Sequence, residues 1–84
     1  MTDLKKYKLK KDEYPFLCVY KNDGTIFGGK NLNKTQWKKE YEKFYNALVK
    51  DNCSYKLVLF ITQDKKTQYP LKVENILFTD IINN

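Results

Sequence analysis

Hydrophobic residues come in short bursts along this chain, and their spacing changes from one burst to the next. Phe16 to Lys21 is rich in aromatic and β-branched residues, and Thr25 to Gly28 resumes the pattern. Asn22-Asp23-Gly24 lies between them. Gly and Asn tolerate the positive φ of tight turns, so the pair of bursts predicts a β-hairpin. Side chains alternate along a strand, which puts Phe16, Cys18 and Tyr20 on one face and Leu17 and Val19 on the other. Gly28-Gly29 is expected to end the unit in a bend or bulge. A phosphate cradle is the rival reading of those glycines, but no P-loop or dinucleotide-binding pattern surrounds them.

The next burst has a longer period. Trp37, Tyr41, Phe44 and Leu48 recur at steps of four, three and four, one stripe of an α-helix. Asn33 suits the N-cap, with Gln36 three residues later as its capping-box partner. Leu32 and Trp37 match a hydrophobic staple. Asn52 can end the helix in the left-handed conformation. The spacing predicts a helix over 34–51. The opposite face carries Lys39, Lys43, Asn46 and Lys50.

A continuous apolar run then predicts a central strand over 55–62. Residues 64–67 read as a polar turn. Residues 68–73 read as a further strand, with Pro70 placing it at an edge. The tail around Ile76, Leu77, Phe78, Ile81 and Ile82 fits a last strand or a short helix equally well. The expected fold is α+β: a small antiparallel β-sheet with one amphipathic helix packed on one face. The order is roughly β-β-α-β-β, with the C-terminal element ambiguous.

At 84 residues the chain has room for one domain, residues 1–84, with 1–13 as a basic, partly flexible arm. Area scaling buries about two-thirds of the unfolded surface, enough for a core without staples. No apolar run approaches the roughly 20 residues that span a bilayer. The N-terminal lysines precede no apolar segment of a secretory signal, so a cytoplasmic location is expected. Cys18 and Cys53 lack zinc-site spacing and read as two reduced, mostly buried thiols.

Histidine and arginine are absent, and all 16 basic residues are lysines. Abundant Lys, Asn, Ile and Tyr point to a low-GC genome, with a phage or mobile element as one source. Without histidine the commonest general acid–base group and metal ligand is missing. The carboxylates are scattered, and the close pairs are Asp12-Glu13 and Glu40/Glu42. The expectation is therefore a non-enzymatic protein with no cofactor, no metal site and no catalytic residues.

Charge narrows the choice of partner. Residues 1–50 hold 12 lysines and 6 acids, whereas residues 51–84 hold 4 of each, so the whole net charge of +6 lies in the first part. A polyanion would be drawn there. The nucleic-acid-binding candidates are Lys5, Lys6, Lys8, Lys10 and Lys11 in the arm and Lys39, Lys43 and Lys50 on the helix. Tyr7 and Tyr45 are the candidates for stacking on bases, which favours a single strand. Other rings beside lysines are Tyr14, Tyr20, Tyr55 and Tyr69. Lysine is a point charge, while bidentate reading of guanine usually takes arginine. Binding should therefore be backbone-dominated, salt-sensitive and weakly sequence-specific. The rival expectation is a small protein-binding inhibitor or accessory protein that docks on a host protein. The edge near Pro70 and the tail from Ile76 to Ile82 are its surfaces, and the tail could also pair two copies into a homodimer. Leu4, Tyr7 and Leu9 are too few apolar anchors for a membrane surface.

Overall fold

The computed structural model describes residues 6–63 and 75–83. Its elements are β1 (Tyr14–Lys21), β2 (Ile26–Asn31), α1 (Trp37–Val49), β3 (Tyr55–Thr62) and β4 (Ile76–Ile82). The strands form one antiparallel sheet in the order β2-β1-β3-β4. With a helix lying on one face, the class is α+β. The turn expected at 64–67 and the strand expected at 68–73, with Pro70, lie outside the described residues. β4 is instead the tail segment whose pattern had suited helix or strand. Pairing with β3 settles it as a strand, Phe78 lying opposite Leu59 and Ile82 opposite Tyr55. Among the described residues no helix is long and apolar enough to cross a membrane.

The first hairpin turns where Asn22-Asp23-Gly24 demands. The Gly24 amide donates to the Lys21 carbonyl at 2.9 Å, and the Lys21 amide to the Thr25 carbonyl at 2.8 Å. Gly24 takes φ 87°, a conformation a side chain would resist. The Asp23 carboxylate locks the tip by accepting from the Thr25 amide (3.0 Å) and hydroxyl (2.6 Å). Gly28-Gly29 does not end the unit: pairing continues through Gly28 opposite Val19 to Asn31 opposite Phe16. The irregularity falls one residue earlier, with Phe27 the extra residue between Ile26 and Gly28.

Alternation along β1 and β3 divides the apolar residues between two faces. Leu17, Val19, Tyr55, Leu57 and Leu59 pack beneath the helix with Leu32, Trp37, Tyr41 and Ile82. Phe16, Cys18, Val58 and Phe60 form a smaller cluster on the other face, with Tyr20 packed against it. The helix stripe is seated as its spacing implied: Trp37 and Tyr41 are buried, and Phe44 and Leu48 pack partly buried against the same cluster. Tyr41 crosses to β4, donating its hydroxyl to the Asp80 carboxylate at 2.8 Å and meeting Phe78 edge-on.

The helix is shorter than 34–51 at both ends. Asn33 caps a tighter preliminary turn. Its side-chain oxygen accepts from the Thr35 amide at 2.9 Å, and its carbonyl from the Gln36 amide at 3.1 Å. The α-helix proper begins at Trp37. Gln36 is not the capping-box partner. Glu40 takes that role, accepting from the Asn33 amide at 2.7 Å, because the extra turn brings the seventh residue where the third would have been. Asn52 does adopt the left-handed conformation, φ 60°. A second left-handed residue, Asn83, closes the same end from β4. Its amide donates to the carbonyls of Val49 (3.2 Å) and Cys53 (3.1 Å). The cysteines are not joined: Cys18 lies in the core, and Cys53 is exposed rather than buried.

Candidate nucleic-acid interface

The basic arm is built into the fold from Lys6 onward. Lysines alternate with apolar residues here, and the alternation decides which side chains turn inward. Tyr7 and Leu9 pack against the helix-covered core, while Lys6, Lys8 and Lys10 are exposed. The Tyr7 ring meets Trp37 edge-on, with centroids 6.4 Å apart. Its hydroxyl donates to the Glu13 carboxylate at 3.0 Å, and the same carboxylate accepts from the Lys10 amide at 2.9 Å. Burial, then the bond to Glu13, pushes the Tyr7 phenol above its usual range. The arm is also tied to the start of the helix, since the Lys34 ammonium donates to the Lys11 carbonyl and lies 4.8 Å from the Tyr14 ring centroid.

These contacts bring the arm against the start of the helix. Lys6, Lys8, Lys10 and Lys11 are exposed in the arm, and Lys39, Lys43 and Lys50 along the outer face of α1. Lys5 lies outside the described residues. Lys39 and Lys50 are eleven residues apart, about 16 Å along the axis at 1.5 Å per residue. Glu42 flanks this row and Asp12 lies in the arm, both exposed. The other two acids of the region turn inward. Glu13 is held by Tyr7 and Lys10, and Glu40 by the Asn33 amide and by Lys30, whose ammonium lies 3.5 Å away.

The two tyrosines expected to stack on bases are spent on packing. Tyr7 is held as described, and Tyr45 is part-buried against the helix-face core. Composition alone cannot separate a packing tyrosine from a stacking one. The alternation of Tyr7 and Leu9 with lysines was the signal for inward packing. Four lysines outside the expected set lie over aromatic rings: Lys21 over Phe27, Lys30 over Phe44, Lys34 over Tyr14 and Lys38 over Trp37, at 4.8–5.6 Å. Such contacts stabilise by about 0.5–1 kcal/mol at exposed sites. Lys34 and Lys38 add to the basic surface where arm and helix meet.

A second surface lies on the helix-free face. Tyr20, Lys21, Lys56, Val58, Phe60, Ile76 and Ile81 border a half-open groove of about 530 Å³. Tyr20, its phenol pushed up to about 12 by burial and then by the neighbouring Cys18 thiol, stands at one side. Among the described residues no group of carboxylates and thiols is placed to hold a metal ion. No known protein family matches this chain, and neither a curated protein nor a solved structure gives a significant match to it.

Proposed function

We propose that this is a non-enzymatic binding protein that holds nucleic acid by its phosphate backbone, across the arm and the outer face of α1. One observation carries the reading. The arm is packed onto the start of the helix, which puts the exposed lysines of residues 6–11 next to the end of α1 from which Lys39 and Lys43 project, while Glu13 and Glu40 are engaged by hydrogen bonds. The local excess of positive charge thus faces solvent, where it attracts a polyanion and releases the counterions condensed on it.

The packing of Tyr7 and Tyr45 changes the expected mode. With those rings engaged, the surface offers charge rather than stacking platforms. Affinity then follows phosphate density, and a duplex competes with a single strand. The absence of arginine keeps sequence preference low.

The test is fluorescence anisotropy with random single- and double-stranded oligonucleotides at several salt concentrations. Four to six phosphate contacts give a log–log slope of about −3 to −4 on a single strand. Exchanging Lys39, Lys43 and Lys50 together for Gln flattens it by about 2, at roughly 0.7 per lost contact. Deleting the arm would remove Tyr7 and Leu9 from the core. The informative variant keeps them and exchanges Lys6, Lys8, Lys10 and Lys11 for Gln. Unchanged affinity and slope in both variants would refute the reading.

A further inference from the structure

The groove on the helix-free face is chemically unlike the basic surface. Strand register lays its residues out in cross-strand rows. Tyr20, Lys56 and Ile81 form one row, and Ile26 extends it on β2. Cys18, Val58 and Thr79 form the next, and Phe16, Phe60 and Ile76 the third. Rows on one face are two residues apart, about 7 Å. A cationic group, Lys56, therefore sits at one end of the groove, next to the hairpin. An apolar floor of Val58 and Phe60 runs toward the other end.

Exposure on this face is unusual. Ile81 is 60% exposed, Ile26 52% and Ile76 38%, all bordering the same sheet surface. Clustered apolar residues of this kind mark contact sites more often than isolated ones do. None of the described lining residues is acidic. Among the described residues, the carboxylates of Asp23 and Asp51 are engaged, Asp23 by Thr25 at the hairpin tip and Asp51 by the Tyr55 hydroxyl at 2.7 Å. The lysine end is thus complementary to an anionic group, and the apolar end to aliphatic side chains.

We infer that this groove docks an extended peptide segment of a partner protein, with an acidic side chain at the Lys56 end and aliphatic side chains along Val58, Phe60, Ile76 and Ile81. Charge complementarity selects an acidic partner. The shape of the apolar part selects a peptide over a nucleobase. Phe16 and Phe60 are only 5% and 4% exposed and Tyr20 packs partly buried against their cluster, so the most exposed groups are the branched aliphatics Ile76 and Ile81. An extended peptide turns every second side chain toward the sheet, matching the spacing of the rows. The groove lies on the face opposite the helix, so this docking is independent of nucleic-acid binding. The protein would then join a polyanion on one side to an acidic protein on the other.

The probe is a fluorescein-labelled peptide of about ten residues with Glu-Ser-Leu-Ser-Leu at its centre, and a second with the order reversed. Controls carry Lys for Glu, or Ser for both Leu. The expected result is saturable binding of an acidic peptide below about 1 mM, with both controls at least tenfold weaker. The double variant Ile76→Thr with Ile81→Thr keeps β-branching at exposed positions, and it weakens binding about tenfold. Lys56→Gln weakens it and reduces its salt dependence. Circular dichroism and an unchanged oligonucleotide affinity show that each variant is folded. Failure of both peptides to saturate would overturn the inference. So would equal binding by the isoleucine variant, or displacement of the peptide by oligothymidylate. Loss of oligonucleotide binding on exchange of Lys39, Lys43 and Lys50, with peptide binding intact, supports two separate sites.

Discussion

The two faces of the sheet are built from the same strands and finished differently. Under the helix, nine buried residues from β1, α1, β3, β4 and the Leu32 connection interlock. Directional bonds tie that layer down: Tyr41 to Asp80, Tyr7 to Glu13, and Asn83 to the end of α1. On the other face four hydrophobic residues form the buried cluster, three large aliphatics at its margins stand open, and a groove runs between them. Neighbouring residues of one strand therefore do different work. Leu57 closes a core, and Val58 beside it floors a contact surface. Among the described residues, one face is specified by packing and polar tethers together, while the other carries a smaller cluster beside a groove.

The largest expected effect tests that contrast directly. Leu57→Ala removes a fully buried side chain from the interlocked layer and should cost about 4 kcal/mol. Phe60→Ala removes a larger side chain but opens into a groove that water can enter. The cavity penalty is thereby reduced, and the cost should be about 3 kcal/mol. Urea unfolding measures both. A Phe60→Ala cost well above that of Leu57→Ala would mean that the two faces are equally closed.

Next comes the polar tether. Tyr41→Phe keeps the ring and deletes the donor to Asp80, at an expected cost of about 1–2 kcal/mol. The same bond predicts behaviour at high pH. Burial and then the Asp80 carboxylate push the Tyr41 phenol well up, while the unfolded chain ionises near 10. The folded state holds that proton more tightly. This contribution is intact below about pH 10 and is lost as pH rises beyond it. Tyr20 on the open face, pushed up to about 12, should ionise earlier. Absorbance titration of Tyr41→Phe and Tyr20→Phe separates them. The first removes the latest step, and the second removes one near pH 12. The reverse order would place the drier environment on the wrong face.

Local periodicity carried much of this architecture. The two faces of β1, the helix stripe and the left-handed Asn52 each depend on neighbours a few residues away. The start of the helix was misplaced because Asn33 has the chemistry of a cap whether an α-turn or a tighter turn follows. Here the tighter turn wins, and Glu40 replaces Gln36. β4 was undecidable alone, since Ile, Leu and Phe at 76–78 suit either period until β3 supplies partners. The groove needs residues from β1, β3 and β4 in register. No local pattern announces Tyr20, Lys56 and Ile81 as neighbours. The lysines of the arm and helix were legible as charges, but the docking of the arm at the helix start depends on Tyr7 meeting Trp37.

The hairpin tip borders the groove, so damage there should register on the open face and leave the helix-covered layer unchanged. Gly24→Ala meets no neighbouring atom within 4 Å, and its cost is backbone strain alone, about 1 kcal/mol at φ 87°. Amide hydrogen exchange should show faster opening around Lys21–Ile26, with α1 and β4 unaffected. Matching acceleration in α1 would mean that the two faces unfold as one unit.

The smallest effect comes from the carboxylate at the same tip. Hydrogen bonds from the Thr25 hydroxyl and amide hold Asp23 below the usual carboxylate range. The folded state therefore favours the ionised form. Its contribution is full above the unfolded value near 3.9 and drains as pH falls through the lower folded value. At neutral pH the tip is intact, and acid should loosen it. Because Asp23 is exposed, solvent screens the effect and global stability should barely move. The sensitive readout is local: the chemical shifts of the Gly24 and Thr25 amides should follow one titration below pH 4, and Asp23→Asn should abolish it. Peptide affinity at the groove should follow the same curve weakly, through Asn22 and Gly24 of the hairpin, which border it. If the amide shifts titrate but peptide affinity does not, the anionic end of the ligand is gripped by Lys56 on the sheet and not by the hairpin.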